Sequence, residues 1–329
     1  MLKSVLRSPL DHRLGGVKAL VLLLVLAALP ALTAAVGGDF YLSLAARVLI
    51  FALAASSLNL ILGFGGLVSF GHAAFVGVGA YTAALLQLVG VGSALWVWLG
   101  AMVVAGVAAA LVGAICLRTR GVYFIMITLA FAQMLYYLTQ ATKAYGGDDG
   151  MALPARLPLL PGIDLSNDRA YYWAALGCAA IGLVLMARLL NARFGHALQA
   201  LRDNEVRMEA MGLPVLRYQL MAFVIAGAWA GLAGALLAGL GNFVSPSLMQ
   251  WSQSGLLMVM VILGGVGRLW GGALGAVVFL LLEEVLSLHT IYWQFVLGAV
   301  LLLVVLSAPQ GLLSLWGRWR KVQTEESTS

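Results

Sequence analysis

The chain has 329 residues, of which 62% are apolar and only 10% are charged. A soluble domain typically carries about a quarter charged residues, and this few polar side chains could not cover the surface of a soluble core. The composition therefore excludes a soluble enzyme and a nucleic-acid-binding protein, and no nucleic acid is expected among the partners. It predicts an all-α polytopic membrane protein embedded in the lipid bilayer.

Several stretches are apolar and close to the length of about 20 residues that a helix needs to cross ~30 Å of hydrocarbon. We therefore predict about ten transmembrane helices within residues 17–310. The predicted spans are Val17–Val36, Tyr41–Leu62, Leu67–Leu88, Ser93–Leu117, Val122–Ala141, Tyr171–Leu190, Tyr218–Leu240, Ser254–Val266, Gly271–Leu288 and Thr290–Ser307. The eighth is short for a crossing. The end of the first lacks a clean A-x-A cleavage site, which favours an uncleaved anchor over a signal peptide.

The basic residues support this count, because lysine and arginine collect on the cytoplasmic side of membrane helices. With ten crossings and both termini in the cytoplasm, 15 of the 19 Lys and Arg residues fall on the inner side. The others, at or near the outer side, are Arg47, Lys143, Arg156 and Arg169. Residues 1–16 and 311–329 are then cytoplasmic segments, 142–170 form an external loop, and 191–216 form a cytoplasmic loop.

The sequence carries no motif for nucleotide hydrolysis or other catalysis. It has no G-x-x-x-x-G-K-[ST], no H-E-x-x-H and no paired-cysteine motif, and its four histidines are scattered. We therefore expect no enzymatic activity and no metal or other cofactor. Energy for uphill transport would have to enter from another polypeptide.

Ionisable residues at membrane depth are few, although an ion-coupled carrier usually needs them. Glu283 and Glu284 lie toward the outer end of the ninth span, either at the membrane interface or in a relay. His72 lies at membrane depth, where packing or hydrogen bonding is the alternative to a relay. These residues leave an ion-coupled carrier open as an alternative function.

Small residues spaced four apart predict close helix packing, because they let two backbones approach. Gly227 and Gly231 form such a pair on the seventh span, and the spacing recurs at Gly267, Gly271 and Gly275. The sequence therefore predicts tight helix contacts at both places.

The stretch Leu62–His72 contains four glycines, a serine and a histidine, which disfavour a continuous helix. Irregular backbone at membrane depth occurs only where it is buried in protein or lines an aqueous cavity. We therefore expect a broken segment near a translocation path. Leu263–Gly267 is similarly rich in glycine, either by shared composition or as an internal repeat.

The cytoplasmic loop between the sixth and seventh spans contains a candidate short helix. Asp203 or Asn204 is suited to cap it, and Gly212 to end it. The pattern predicts a helix over Glu205–Met211 that presents apolar side chains beside Glu209. This helix is either a solvated connector or a coupling helix that fits a cleft on a cytoplasmic ATPase, and the lack of nucleotide motifs favours the second.

A series of motifs follows along residues 66–234. They are Gly66–Tyr81 (GLVSFGHAAFVGVGAY), Arg118–Gln133 (RTRGVYFIMITLAFAQ), Gly146–Gly150 (GGDDG), Arg202–Glu205 (RDNE), Glu209–Gly212 (EAMG) and Ala222–Gly234 (AFVIAGAWAGLAG). In this order they resemble the permeases of branched-chain amino-acid ABC importers. The pattern is similar to the M-type rather than the H-type subunit of that family.

The resemblance implies a type II ABC importer permease-like fold of mainly ten helices around a central path, in the inner membrane of a bacterial cell. It implies a heterodimer with an H-type permease subunit, two cytoplasmic ABC ATPase subunits, and a periplasmic or extracellular substrate-binding protein. By their place in the motifs, the residues of the ATPase contact would be Arg202, Asp203, Asn204, Glu205, Glu209, Ala210 and Gly212.

The leading hypothesis is therefore a permease subunit for ATP-driven uptake of the branched-chain amino acids Leu, Ile and Val. Such a solute needs an apolar path with backbone and hydroxyl groups for its ammonium and carboxylate. The candidates for the path lining are Ser69, Gly71, His72, Tyr81 and Thr128. Alternatives are a urea or short-amide permease, which shares the family, an ion-coupled secondary carrier, and an intramembrane enzyme.

Overall fold

The computed structural model describes residues 23–30, 39–159, 162, 164–307 and 311–312, which are mostly helical. Helical residues 23–30 precede α1 (Asp39–Asn59), α2 (His72–Leu88), α3 (Ala94–Cys116), α4 (Val122–Ala141), α5 (Asp168–Asn191), α6 (Arg193–Asp203), α7 (Glu205–Ala210), α8 (Val215–Gly241), α9 (Trp251–Gly264), α10 (Gly271–His289) and α11 (Trp293–Ser307). Shorter elements are a π-helical turn (Leu60–Phe64), 3₁₀ turns (Lys143–Tyr145 and Pro246–Met249), and strands β1 (Met151–Ala152) and β2 (Phe243–Val244). The segment 1–16, most of the first predicted span Val17–Val36 and most of 311–329 lie outside the described residues.

Six helices in the described ranges are long and apolar enough to cross a membrane. They are Phe40–Phe64, which joins α1 to the π-helical turn, and α3, α4, α5, α8 and α10. Helices α2, α9 and α11 are apolar but shorter, with 17, 14 and 15 residues. The all-α membrane architecture is confirmed. Length and composition support six crossings, whereas the sequence predicted about ten.

Helix α8 packs against α2 and α3 through small residues. A Cβ atom on Gly227 would lie 2.4 Å from the Cβ of Ala109 on α3. One on Gly231, a turn further along, would lie 2.4 Å from the Cβ of Ala105. Both glycines therefore permit the close approach that the G-x-x-x-G spacing predicted.

Gly234, two turns beyond Gly227 on α8, tests how much this close packing contributes to stability. A Cβ on Gly234 would lie 1.8 Å from the carbonyl oxygen of Val76, a backbone atom of α2. We expect Gly234→Ala to destabilise the protein, because overpacking of a tight contact costs about 1–3 kcal/mol. The measurement is the midpoint of thermal unfolding in detergent, followed by intrinsic fluorescence.

Gly177→Ala on α5 is the matched control. No described atom lies within 4 Å of its Cβ position, and alanine is better than glycine in a helix by about 1 kcal/mol. The control should keep or raise the midpoint. An equal fall in both variants would contradict the packing explanation.

Helices α9 and α10 form a tight pair around a glycine-rich turn. A Cβ on Gly275 would lie 1.7 Å from the carbonyl oxygen of Met260, and one on Gly271 would lie 2.1 Å from that of Gly265. These contacts confirm the predicted packing for Gly271 and Gly275. Gly267 instead lies in the turn, with a φ of +71°.

The chain is not helical between residues 65 and 71, as the glycine content predicted. Helix α2 begins at His72, five residues later than the start at Leu67 that the sequence predicted. One reason is local: Gly66 has a φ of +70°, and the N–H of Leu67 donates back to the carbonyl of Ile61 at 2.8 Å.

A small antiparallel sheet ties the loop between α4 and α5 to the end of α8. Met151 of β1 pairs with Val244 of β2, and Ala152 pairs with Phe243. Gly150, just before β1, has a φ of +79°, and a Cβ there would lie 2.4 Å from the carbonyl oxygen of Val244. The last glycine of the GGDDG motif is therefore required by both conformation and space.

Arg156 fastens the same loop to two helix ends. Its Nε donates to the carbonyl of Gly239 at 3.0 Å, and its Nη2 to that of Leu240 at 3.1 Å. Its Nη1 lies 2.5 Å from Oδ1 of Asp168 at the start of α5, and its guanidinium lies over the ring of Tyr171. The last carbonyls of a helix lack intrahelical partners and carry partial negative charge, so a cation stabilises them.

We expect Arg156→Ala to lower the unfolding midpoint, because hydrogen bonds to a charged group contribute about 1.5–3 kcal/mol. Arg169→Ala is the control, since Arg169 is an exposed arginine of the same region. Thermal unfolding in detergent should show a fall of several degrees for the first variant and little change for the second. A similar response of both variants would show that the contacts of Arg156 add no stability.

Candidate functional site

The broken segment brings three of the predicted path residues together. Ser69 accepts a hydrogen bond on its Oγ from the N–H of Gly71 at 3.2 Å. A Cβ on Gly71 would lie 2.8 Å from the carbonyl oxygen of Thr128 on α4. The side chains of Ser69 and Thr128 are fully buried. This part of the predicted site is therefore a close contact between the segment 65–71 and α4.

His72 faces α1 instead. Its Nε2 lies 2.9 Å from Oγ of Ser57, and that hydroxyl donates its single proton to the carbonyl of Ala54 at 2.7 Å. The imidazole is therefore the donor to Ser57. A serine and a histidine at this distance could form a nucleophile and base, but both are completely buried and the hydroxyl proton is already used. The pair fits a structural hydrogen bond between α1 and α2.

The start of α2 has a second anchor, on α9. The N–H of Ala73 donates to Oγ of Ser254 at 2.9 Å, and Ser254 is fully buried. This bond satisfies one of the first-turn N–H groups, which have no partner within a helix. Ser254 was not among the predicted site residues, although a serine within a predicted apolar span was a signal for such a bond.

Tyr81 lies apart from the other predicted path residues. It is nine residues beyond His72 on α2, about 13.5 Å along the helix axis. It packs in a separate cluster with Ala84, Ala238 and Met249. The structure therefore does not bring Tyr81 together with Ser69, Gly71 and Thr128.

An apolar crevice lies between α1, α2, α8 and α9. Its single amide-bearing residue is Gln253, and the walls are aliphatic or aromatic. The lining residues are Ile50, Phe51, Ala54, Ala73, Val76, Ala233, Leu237, Leu248, Gln253 and Leu257. A surface of this kind suits a hydrophobic side chain rather than a charged group.

Asn59 joins the inner end of α1 to the turn between α9 and α10. Its Nδ2 donates to the carbonyl of Arg268 at 2.8 Å, and its Oδ1 accepts from the N–H of Gly267 at 3.0 Å. Beside it, a Cβ on Gly63 would lie 2.4 Å from the backbone nitrogen of Gly267. The two glycine-rich stretches noted in the sequence therefore touch each other. Sequence reasoning missed Asn59, whose signal was a lone amide in an apolar span.

The loop between α5 and α8 contains the predicted short helix. Helix α7 covers Glu205–Ala210, and Asn204 caps it by accepting a hydrogen bond on its side chain from the N–H of Arg207 at 2.9 Å. Of the two candidate caps, Asn204 is therefore the one used. Asp203 instead ends α6, a helix that the sequence reading did not predict.

Helix α7 and the residues after it are exposed and mix apolar with charged side chains. Val206 and Met211 are each 70% exposed, and Arg207, Glu209 and Ala210 also lie at the surface. Large apolar side chains that are exposed beside charged ones are compatible with a protein contact.

Two of the predicted coupling residues contact distant parts of the chain, whereas Asp203 and Asn204 make only local bonds. Glu205 forms an ion pair with Arg120, in which Nη2 of the arginine lies 3.2 Å from Oε1 of the glutamate. Arg202 extends from α6 to the π-helical turn after α1, where its Nη1 donates to the carbonyl of Gly63 at 2.8 Å. The seven residues therefore do not form one surface.

Glu283 has a basic partner on another helix. Its Oε1 lies 3.5 Å from Nη2 of Arg47, and both side chains are partly exposed. Neighbouring Glu284 is also partly exposed. This arrangement fits an ion pair between α1 and α10 rather than an isolated carboxylate at membrane depth.

Comparisons with known proteins agree with the apolar helices and the motifs described above. A family model described as branched-chain amino acid transport system / permease component matches residues 40–305. The high-affinity branched-chain amino acid transport system permease protein LivM of Salmonella typhimurium is 32% identical over 295 residues, covering 82% of this chain and 69% of LivM. LivM of Escherichia coli K12 is 31% identical with the same coverage. LivH of Escherichia coli K12 is 24% identical over 286 residues, covering 80% of this chain and 91% of LivH. The chain belongs to the family of branched-chain amino acid transport system permease components.

Proposed function

We propose that this chain is the M-type permease subunit of an ATP-driven importer of branched-chain amino acids. The observation that carries the proposal is helix α7, a capped helix on the cytoplasmic loop with exposed apolar side chains at Val206 and Met211. Such a helix suits the cleft of a separate ATPase. The names of the relatives, LivM and LivH, describe permeases for the same class of solute.

In this proposal, residues 17–310 cross the inner membrane of a bacterial cell about ten times, and both termini are cytoplasmic. The Arg120–Glu205 pair supports the topology, because it holds the end of α3 and the loop 191–216 together at one end of the bundle. The partners are an H-type permease subunit, two cytoplasmic ABC ATPases and an external substrate-binding protein on the side of the loop 142–170.

In the proposed transport cycle, the ATPase subunits act on the permease through α7. Closure of the ATPases displaces α7, and the helices tilt so that the path opens to one side and then to the other. Ser69, Gly71 and Thr128 offer hydroxyl and backbone groups to the ammonium and carboxylate of the solute. The external binding protein supplies most of the selectivity.

We expect Glu209→Arg to abolish or uncouple uptake, because it reverses the charge of an exposed side chain on α7 for which the described residues show no ion pair. The assay is ATP-dependent leucine uptake by the complete transporter in vesicles, together with the amount of permease inserted. Normal import by a normally inserted variant would rule out the coupling role of α7.

Glu209→Gln is the matched control. It removes the charge with almost no change in size, so insertion should be unchanged and uptake should fall less than in Glu209→Arg. ATPase subunits should also co-purify with the glutamine variant from mild detergent. Equal and complete loss of insertion in both variants would point to a folding defect instead of lost coupling.

The solute class is tested with the assembled transporter and its external binding protein. We expect ATP-dependent uptake of leucine, isoleucine and valine, because the relatives LivM and LivH are named as permeases for branched-chain amino acids. Uptake of urea or short amides instead would assign the chain to the other branch of the family. Accumulation by this subunit alone on an ion gradient would favour an ion-coupled carrier.

A further inference from the structure

Arg202 connects the cytoplasmic loop to the membrane-embedded part of the chain. It lies in the last turn of α6, directly before the cap of α7. Its Nη1 donates to the carbonyl of Gly63 at 2.8 Å, although the two residues are 139 positions apart in the sequence.

The carbonyl of Gly63 has no partner from its own helix. In a continuing helix it would accept from the N–H of Leu67, but that N–H donates to Ile61. The break at Gly66 therefore leaves a carbonyl at the negative end of a long helix. The guanidinium of Arg202 satisfies that carbonyl and neutralises the local partial charge.

The orientation of the guanidinium is fixed from the other side. Nε of Arg202 donates to Oδ1 of Asp203 at 3.1 Å, and Nη2 donates to the same oxygen at 2.9 Å. Two donors are thus held by the carboxylate at the end of α6, which leaves Nη1 directed at Gly63. A planar, rigid fork of this kind transmits displacement better than a flexible ammonium.

Two glycines allow the backbone to approach the side chain of Arg202 closely. A Cβ on Gly66 would lie 2.8 Å from Cγ of Arg202, and one on Gly267 would lie 3.3 Å from its Nη1. Asn59 holds Gly267 and Arg268 in turn. The arginine therefore contacts the end of α1, the start of the broken segment and the α9–α10 turn at one point.

We propose that Arg202 is a positioning residue that couples movement of α6 and α7 to the inner end of α1 and to the broken segment 65–71. The inference rests on the proposed function and deepens it. Arg202 is then not an ATPase contact like the exposed residues of α7. It acts inside the permease, through the carbonyl of Gly63 and the turn held by Asn59.

The first test compares Arg202→Gln, Arg202→Lys and the control Arg193→Gln in the complete transporter. Arg193 is an exposed arginine at the start of the same helix. We expect Arg202→Gln to retain the ATPase subunits and most of the ATP hydrolysis. Solute imported per ATP should fall about tenfold, the effect of losing one hydrogen bond to a charged group. Lysine keeps the charge and one donor, so it should restore part of the coupling, and Arg193→Gln should behave like the parent.

The outcomes of this test separate the possible roles. Loss of the ATPase subunits from Arg202→Gln would show a direct ATPase contact and overturn the proposal. Unchanged solute imported per ATP would overturn it as well. If the parent transporter itself shows no ATP-dependent uptake, the proposed function fails, and the second test below still decides the role of Arg202.

The second test uses this subunit alone in detergent. A cysteine is placed at Val68, in the broken segment, after Cys116 and Cys178 are replaced by alanine. A water-soluble maleimide should label Val68→Cys faster when Arg202→Gln is also present, because the segment has lost its anchor. Arg193→Gln should leave the labelling rate unchanged. Equal rates with and without Arg202→Gln would overturn the proposed link.

Discussion

A helix that breaks inside a membrane must still find a partner for every backbone N–H and C=O, because lipid supplies none. The rest of this structure follows from how the chain meets that requirement around the segment 65–71. The carbonyl of Gly63, before the break, is satisfied by Arg202 from α6. The N–H of Ala73, after the break, is satisfied by Ser254 from α9. The break therefore fixes the relative positions of three distant parts of the chain.

Much of the fold was predictable from local pattern. The apolar stretches, the glycine-rich break and the cap of α7 each depend on residues within a few positions of one another. Helix α6 was missed because it mixes polar and apolar residues and follows α5 after a single residue, so it contains no apolar run that marks a span. The start of α2 was misplaced because the bonds of His72 and Ala73 to other helices help to fix it.

The site was predictable in its residue types but not in its arrangement. Asn59 bonds to Arg268 across 209 positions, and no local pattern indicates that pairing. The RDNE motif shows the same difficulty, because the side chains of neighbouring residues in it point to different parts of the structure. Arg202 turns inward to α1, whereas Asn204 caps α7. A motif identifies which residues belong together in sequence, and only the tertiary contacts assign each one its role.

In the proposed mechanism, the broken segment places energy input and solute passage close together. Gly71, whose N–H donates to Ser69, lies against Thr128 on α4, and the segment that carries both residues starts beside Arg202 at Gly66. Since the segment lacks internal helical hydrogen bonds, it can shift without unwinding a helix. A shift of α6 would then reach the proposed path over a few residues of backbone, with no long chain of side-chain contacts needed to carry it. Polar groups are costly in a membrane, and this short connection explains why they are grouped where the second predicted span ends.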